Sequence, residues 1–513
     1  MNVTPKFNIV LLTIDALRYD HCGFNGYNRD VSPQLDKIAK KAIVFDNVFS
    51  TGPCTPPAFC SMFTATLPFD KGGYSPLPKQ KITIAEVLRT MGYQTAGFTS
   101  NPQNSHYFGY DRGFMKFYDS MITSTKNPLN KRILTYFEGS GEKSNALYNR
   151  LQNLKVPKVL QASLKKLFYR VFLGRSIIYY VPARWITRRA LKWLWYHYSQ
   201  EKKDAAPFFL WVHYMDTHDP FIPKWRNLVK INPKFPRHAF DYVKKYPEYT
   251  DVLKQNNRKK HLIDLYDAEF RAEDERIGFL VRVFKRRGIY DQTVFIVTAD
   301  HGEEFNDHGD YGHRAHLYNE LTHVPFMIFG GPAERNELPG LNPGTRVSTL
   351  LSLMQLAPTM LEILSIPKTS SFDAPSILDS LKNKDLTTSA GIILNATETG
   401  KKSVIACTYH KGIVTRFNQV KDRTIKKMIS MQDTRWKYIF DAETMREELY
   451  DLQEDPREKR NIASDHEVIL HVFRETCAQH LKSTGSARTK KIPEETGERA
   501  KILAALQKVK KNL

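Results

Sequence analysis

Residues 8–14, NIVLLTI, form a continuous apolar, β-rich run that stops at Asp15. It has no regular polar alternation, so it suits a strand covered on both faces. Five further runs share this character: AIVFDNVF at 42–49, QTAGFTS at 94–100, PFFLWVHYM at 207–215, QTVFIVTA at 292–299 and HVPFMIFG at 323–330. Helical patterns lie between them, ITIAEVLRTMG at 82–92 and YDAEFRAEDERIGFLVRVFKRRG at 266–288 among them. Strands alternating with helices predict an α/β fold with a large, mainly parallel central sheet and helices on both faces. Ligands of such sheets sit beyond the carboxyl ends of the strands.

The residues just past each strand are therefore the informative part of the sequence. Asp15 follows the first run, Asp216 and His218 follow PFFLWVHYM, and Asp300 and His301 follow QTVFIVTA. His308 and His313 come soon after, in DHGEEFNDHGDYGH. Past the second run, STGPCTPPAFCSMFT at 50–64 is a Pro-rich turn holding Cys54 and Thr55. Each Asp taken alone is equally a helix N-cap, but four strand ends carrying such residues point to one site. Carboxylate and imidazole donors together suit a divalent cation such as Zn, Mn or Fe, and a hydroxyl held at the ion becomes a nucleophile.

With these stretches in hand, the chain resembles the sulfatases of the alkaline phosphatase superfamily from about residue 7 to residue 463. The matching stretches include NIVLLTIDALRYDHCGFNGY, CTPPAFCSMFTATLP, FFLWVHYMDTHDPF, TADHGEEFNDHGDYGH and ELYDLQEDPREKRNIA. The resemblance implies an alkaline-phosphatase-like three-layer sandwich and a smaller C-terminal α+β subdomain with a short antiparallel sheet. RWKYIF at 435–440 and ELYDL at 448–452 supply strands for that sheet. The implied division is a catalytic domain over 1–400 and a C-terminal subdomain with a basic helical tail over 401–513. Its nearest flavour is a prokaryotic, often archaeal, branch with a single N-terminal Asp. Ala16 stands where classical sulfatases carry a second Asp.

Carried over residue by residue, the resemblance implies that Asp15, Thr55, Asp300 and His301 hold one divalent ion (Zn, Mn or Ca). His218 and His313 would act on the substrate or leaving group. Asp216 and His308 would serve a second ion or the substrate. Classical sulfatases use Cys-x-Pro-x-Arg, with the Cys oxidised to formylglycine. This chain offers Cys54-Thr55-Pro56-Pro57-Ala58 in one register and Thr55-Pro56-Pro57-Ala58-Phe59 in the other, and neither has the Arg. Formylglycine is therefore not expected. In the family a downstream Thr follows the nucleophile by nine residues, and with Thr64 in that place the resemblance implies Thr55 as nucleophile, with Cys54 as the alternative. The expected function is a metal-dependent hydrolase of a sulfate or phosphate ester. A phospho-alcohol transferase acting on a lipid or glycan is the runner-up, and a non-catalytic binder of anionic surfaces or nucleic acid comes last.

Charge sharpens the partner. The 513 residues carry a formal +22, and between 150 and 200 there are eleven basic residues and no acidic one. Leu160, Leu164, Leu167, Phe168, Val171 and Phe172 recur there at helical spacing, and WITRRALKWLWYHY follows at 185–198. That composition fits either a solvated helical insertion or peripheral contact with an anionic membrane. An anionic glycan or lipid ester is the expected substrate, and no specific nucleic acid is expected, because charge alone supplies no base readout. Five scattered cysteines (22, 54, 60, 407, 477), no signal-peptide pattern and no transmembrane run lead to a cytoplasmic, membrane-associated expectation.

Overall fold

The computed structural model describes residues 7–68, 76–120, 180–200, 206–245, 259–313, 316–382, 395–398, 408–410, 413–415, 427–441 and 444–476. The helical pattern at 160–172 and the basic tail lie outside the described residues. Of the basic stretch 150–200, only 180–200 is described.

The runs become strands. β1 (Asn8–Ile14), β2 (Ile43–Phe49), β3 (Gln94–Phe98), β4 (Lys116–Tyr118), β5 (Phe208–Tyr214) and β6 (Thr293–Ala299) join β9 (Phe326–Gly330) and β10 (Arg346–Ser352) in one sheet. Its order is β10-β2-β9-β6-β1-β5-β3-β4. All pairings are parallel except those of β9, which runs antiparallel to β2 and β6. The three central strands, β6, β1 and β5, are buried along their whole length. Their carboxyl ends lie side by side, and Asp15, Asp216, Asp300 and His301 come directly after them.

Strand alternation assigns the two helical layers. On one face of β5, Trp211 and His213 meet Phe59 of α2 (Thr55–Thr64), at ring distances of 5.3 and 5.0 Å. Helix α3 (Ile84–Thr90) packs beside α2, its start fixed by a reciprocal cap between Thr83 and Glu86. On the other face, Phe208 meets Trp193 of α4 (Ala183–Gln200), and Tyr214 bonds Thr187 of that helix. The 28-residue α5 (Lys259–Arg286) lies against α4, and its Phe284 reaches Phe208. The result is the three-layer α/β arrangement.

Beyond it, β11 (Asn395–Glu398), β14 (Lys427–Gln432), β15 (Trp436–Asp441) and β16 (Arg446–Asp451) form an antiparallel sheet; a two-stranded ribbon, β12 (Thr408–His410) and β13 (Ile413–Thr415), stands apart. The sheet takes in residues ahead of 401. It joins the larger body through Leu317 and Tyr318 against Met428, Ile439 and Tyr450. A fully buried ion pair, Lys437–Glu458 at 2.7 Å, bonds both ends of Asn319 at the same joint.

Candidate active site

The first site residue is delivered by the end of β1. Asp15 extends the ladder with its N–H on the Tyr214 carbonyl at 2.9 Å. The chain then turns through Ala16 at φ 56°, a left-handed conformation that costs a non-glycine residue about 1–2 kcal/mol. Two bonds offset the strain. The Ala16 N–H donates to Asp300 Oδ1 at 3.2 Å, and its carbonyl accepts from Tyr266 at 2.8 Å. Asp15 and Asp300 are thus locked together through the turn, and both are fully buried.

Thr55 arrives from the opposite layer as the first residue of α2, behind Cys54 in extended conformation. Two prolines follow in the first turn, where missing N–H groups go unmissed. Thr55 Oγ1 lies 3.4 Å from Asp15 Oδ2 and 3.4 Å from His301 Nε2. The N-terminal, positive end of α2 therefore borders the cluster, a favourable place for an anionic group. Cys54 is the half-buried residue preceding the helix.

His301 is oriented by its other nitrogen. Nδ1 donates to the Gly302 carbonyl at 2.8 Å, so the lone pair of Nε2 faces the cluster. Gly302 is required there, since a Cβ would sit 1.9 Å from the Glu320 carbonyl. Nε2 is 3.7 Å from Asp15 Oδ1 and 3.6 Å from Asp300 Oδ2. Burial, together with the neighbouring His313, pushes the His301 imidazole down to about 3, so it is neutral.

Two residues absent from the sequence expectation belong to the same cluster. His213, inside β5, places Nε2 3.2 Å from Asp15 Oδ2. Asn101 donates Nδ2 to Asp15 Oδ2 at 2.8 Å and to Thr55 Oγ1 at 3.1 Å. Asn101 could have been found by carrying the strand-end search one residue past Ser100 and admitting an amide. A histidine in an otherwise apolar strand was the signal for His213.

Electrostatics make the cluster a candidate cation site. Asp15 Oδ1 and Asp300 Oδ2 are buried and have no hydrogen-bond partner. Leaving an ionised oxygen so is costly unless a cation completes it. Burial, with the Asp15 charge beside it, holds the Asp300 carboxyl well above its ordinary range. Burial acts on Asp15 in the same direction, but the His213 bond and the surrounding histidines outweigh it and hold that carboxyl low. Asp15, His213 and Asp300 each offer a donor atom within 4.8 Å of the others. The donors fit a divalent ion, with Asp15, Asp300, His301 and Thr55 around it.

The remaining expected residues divide into two groups. His218 and His313 meet at the half-buried mouth, with ring centroids 4.9 Å apart and His313 4.6 Å from His301. β7 (Glu304–Phe305) and β8 (Tyr311–Gly312) form the ribbon that leads into His313. Burial would lower the His313 pKa, but Glu303 at 3.0 Å raises it. Asp216 and His308 lie elsewhere. Asp216 Oδ2 caps α4 through the Ala183 N–H at 2.7 Å, beside Glu273 and Glu269. His308 bonds Glu320 and the Glu458 carbonyl and stacks on Tyr318 at the joint with the C-terminal sheet.

Comparison with known proteins identifies the family. The sulfatase family profile matches residues 7–366. Arylsulfatase K of Xenopus laevis is 25% identical over 260 residues, 49% of this chain and 42% of its own length. The chain thus spans about two-fifths of that relative. Choline-sulfatase of Rhizobium meliloti (strain 1021) is 21% identical over 506 residues, 93% of this chain and 87% of its own. Phosphonate monoester hydrolase from Silicibacter pomeroyi superposes with a TM-score of 0.63 at 17% identity, covering 93% of this chain and 96% of that one. With the profile spanning well over half of its length, the chain belongs to the sulfatase family.

Proposed function

We propose that the protein is a metal-dependent hydrolase of a sulfate or phosphate ester, with Thr55 as nucleophile. One observation carries the reading: two buried, partnerless carboxylate oxygens, Asp15 Oδ1 and Asp300 Oδ2, flank His301 Nε2 beside the Thr55 hydroxyl. A divalent ion held by Asp15, Asp300, His301 and Thr55 would acidify that hydroxyl and neutralise the ester oxygens. Asp15 Oδ2 lies within reach of the hydroxyl proton, and Asn101 Nδ2 donates to the oxygen as its charge grows. The transferred group passes to Thr55 Oγ1, and His313, its pKa raised by Glu303 against the effect of burial, gives a proton to the departing oxygen at the mouth with His218 beside it. Water then cleaves the Thr ester. Names among the relatives support sulfate esters, and the phosphonate hydrolase supports phosphorus esters at the level of fold.

Thr55→Ala should lower turnover of aryl sulfate, aryl phosphate or aryl phosphodiester by at least about 10⁴-fold. Cys54→Ser should cost less than about tenfold, and the peptide holding Cys54 should have the mass of an unmodified cysteine. Full activity in Thr55→Ala with loss in Cys54→Ser would overturn the Thr55 assignment.

The described part of the basic stretch supports a peripheral contact with an anionic membrane. Helix α4 buries Ala183, Ile186, Ala190 and Leu194 and exposes Arg184, Trp185, Arg188, Lys192, Trp195 and Tyr196 on one face. Arg184 and Arg188 stand over the Trp185 ring at 5.6 and 5.5 Å. Basic side chains among interfacial aromatics suit an anionic headgroup layer. Among the described residues, no helix is long and apolar enough to cross a membrane. Sedimentation with phosphatidylserine vesicles should fall with salt and with Trp195→Ala. Absence of binding at low salt would remove this contact.

A further inference from the structure

We infer that His213 is a positioning residue that clamps Asp15 by donating from Nε2, its tautomer fixed by a buried relay through Thr13 and Trp211; this rests on the cation site proposed above. Thr13 and His213 face each other across the parallel β1–β5 pair, and Trp211 lies two residues earlier on the same face of β5. All three are fully buried under Phe59 and Phe63 of α2.

The bonds run in one direction. The Trp211 indole can only donate, and Nε1 lies 3.0 Å from Thr13 Oγ1. Thr13 Oγ1 lies 2.9 Å from His213 Nδ1. With the indole hydrogen already on the oxygen, the Thr13 hydroxyl hydrogen is satisfied when it goes to Nδ1. Reversing that bond would leave a buried hydroxyl hydrogen without an acceptor. Nδ1 is therefore the acceptor, and the neutral ring carries its proton on Nε2, 3.2 Å from Asp15 Oδ2.

The consequence falls on Asp15. Oδ2 is engaged by His213, Asn101 and Thr55, while Oδ1 is left without a partner and faces His301. His213 thus fixes the carboxylate rotamer that presents Oδ1 to a cation. His301 and His213 carry opposite tautomers at one site. His301 holds its proton on Nδ1, against the Gly302 carbonyl, and presents a lone pair; His213 presents a proton. Although its Nε2 lies close to both carboxylates, His213 is the support of a ligand rather than a ligand.

The experiment uses the full chain, labelled with 15N-histidine and stripped of metal. Long-range 1H–15N spectra should show the His213 signal, identified by its loss in His213→Ala, with a protonated Nε2 and an unprotonated Nδ1. Adding diamagnetic Zn²⁺ should leave Nε2 protonated. Calorimetric titration with Zn²⁺ and Mn²⁺ should show His213→Ala binding about 10–100-fold more weakly. His213→Gln, whose amide can still donate to Asp15, should stay within about threefold of the unaltered protein. A Zn²⁺-induced loss of the Nε2 proton, or equal weakening in His213→Gln and His213→Ala, would make His213 a metal ligand and overturn the inference. A metal-free ring protonated on Nδ1 would overturn it as well. Failure of the unaltered protein to bind either ion would strike the cation site instead, leaving the tautomer measurement to decide the relay.

Discussion

Two groups of buried acids stand at the carboxyl ends of neighbouring strands, and they meet burial in opposite ways. Asp15 and Asp300, after β1 and β6, keep one oxygen each without a partner. Asp216, after β5, and Glu269 and Glu273 of α5 turn theirs toward backbone. Asp216 takes the Ala183 N–H, Glu273 takes the Asp216 N–H and the Thr217 hydroxyl, and Glu269 takes the Ile222 N–H. Burial pushes all three of these carboxyls up, toward the neutral form, as it does Asp300, and only Asp15 is held low. The second group joins α4, α5 and the loop after β5, whereas the first leaves charge for something from outside. Unsatisfied acceptors, more than acidity or burial, separate a site from a brace.

The comparison breaks most visibly through activity. Asp15→Asn and Asp300→Asn should each lower turnover by about 10³-fold. They should also abolish the rise in melting temperature on adding Mn²⁺ or Zn²⁺, a stabilisation of about 2.7 kcal/mol at a hundredfold excess over Kd in the unaltered protein. Metal-free stability should hold or improve, because one of two crowded carboxylates is gone. A substantial fall in the melting temperature of the stripped variant would make the pair a brace like its neighbour.

Asp216→Ala should do the reverse. Losing the cap on the Ala183 N–H should cost about 1–3 kcal/mol in denaturant unfolding, with the bound-metal stoichiometry unchanged. Loss of an equivalent of metal in that variant would return Asp216 to the site as the holder of a second ion.

The same brace can be tested through pH. Burial raises the Asp216 carboxyl from 3.8 to about 7. Between those values the folded protein keeps a proton that the unfolded chain has released, so stability falls as pH rises through the window and returns on acidification. Asp216→Asn cannot titrate and should flatten that part of the stability–pH curve. An unchanged slope would mean that the carboxyl ionises in place.

Much of the fold was legible because buried parallel strands must be apolar throughout. All six apolar runs contain strands of the large sheet, and Asp15, Asp300 and His301 emerge directly from the search at strand ends. β4 and β10 were less visible: β4 is three residues long, and β10 is only partly buried. The antiparallel direction of β9 leaves no mark on its apolar run. Asp216 and His308 carry the residue types of a site yet occupy a cap and a joint, because composition at a strand end does not say which way a side chain turns.

By itself, the sequence determined the strand and helix alternation, the residue types at the strand ends and the membership of the sulfatase family. Those features are local, or survive as ordered motifs along the chain. Tertiary structure alone decided that Asn101 reaches Thr55, that His213 faces Thr13 across two strands, and that His301 and His213 hold their protons on opposite nitrogens. It also decided which buried carboxylates remain without partners. Apart from the His301 proton, which the adjacent Gly302 carbonyl sets, each of these depends on register and on contacts between residues about 46 to 285 positions apart, and periodicity reports burial without reporting neighbours.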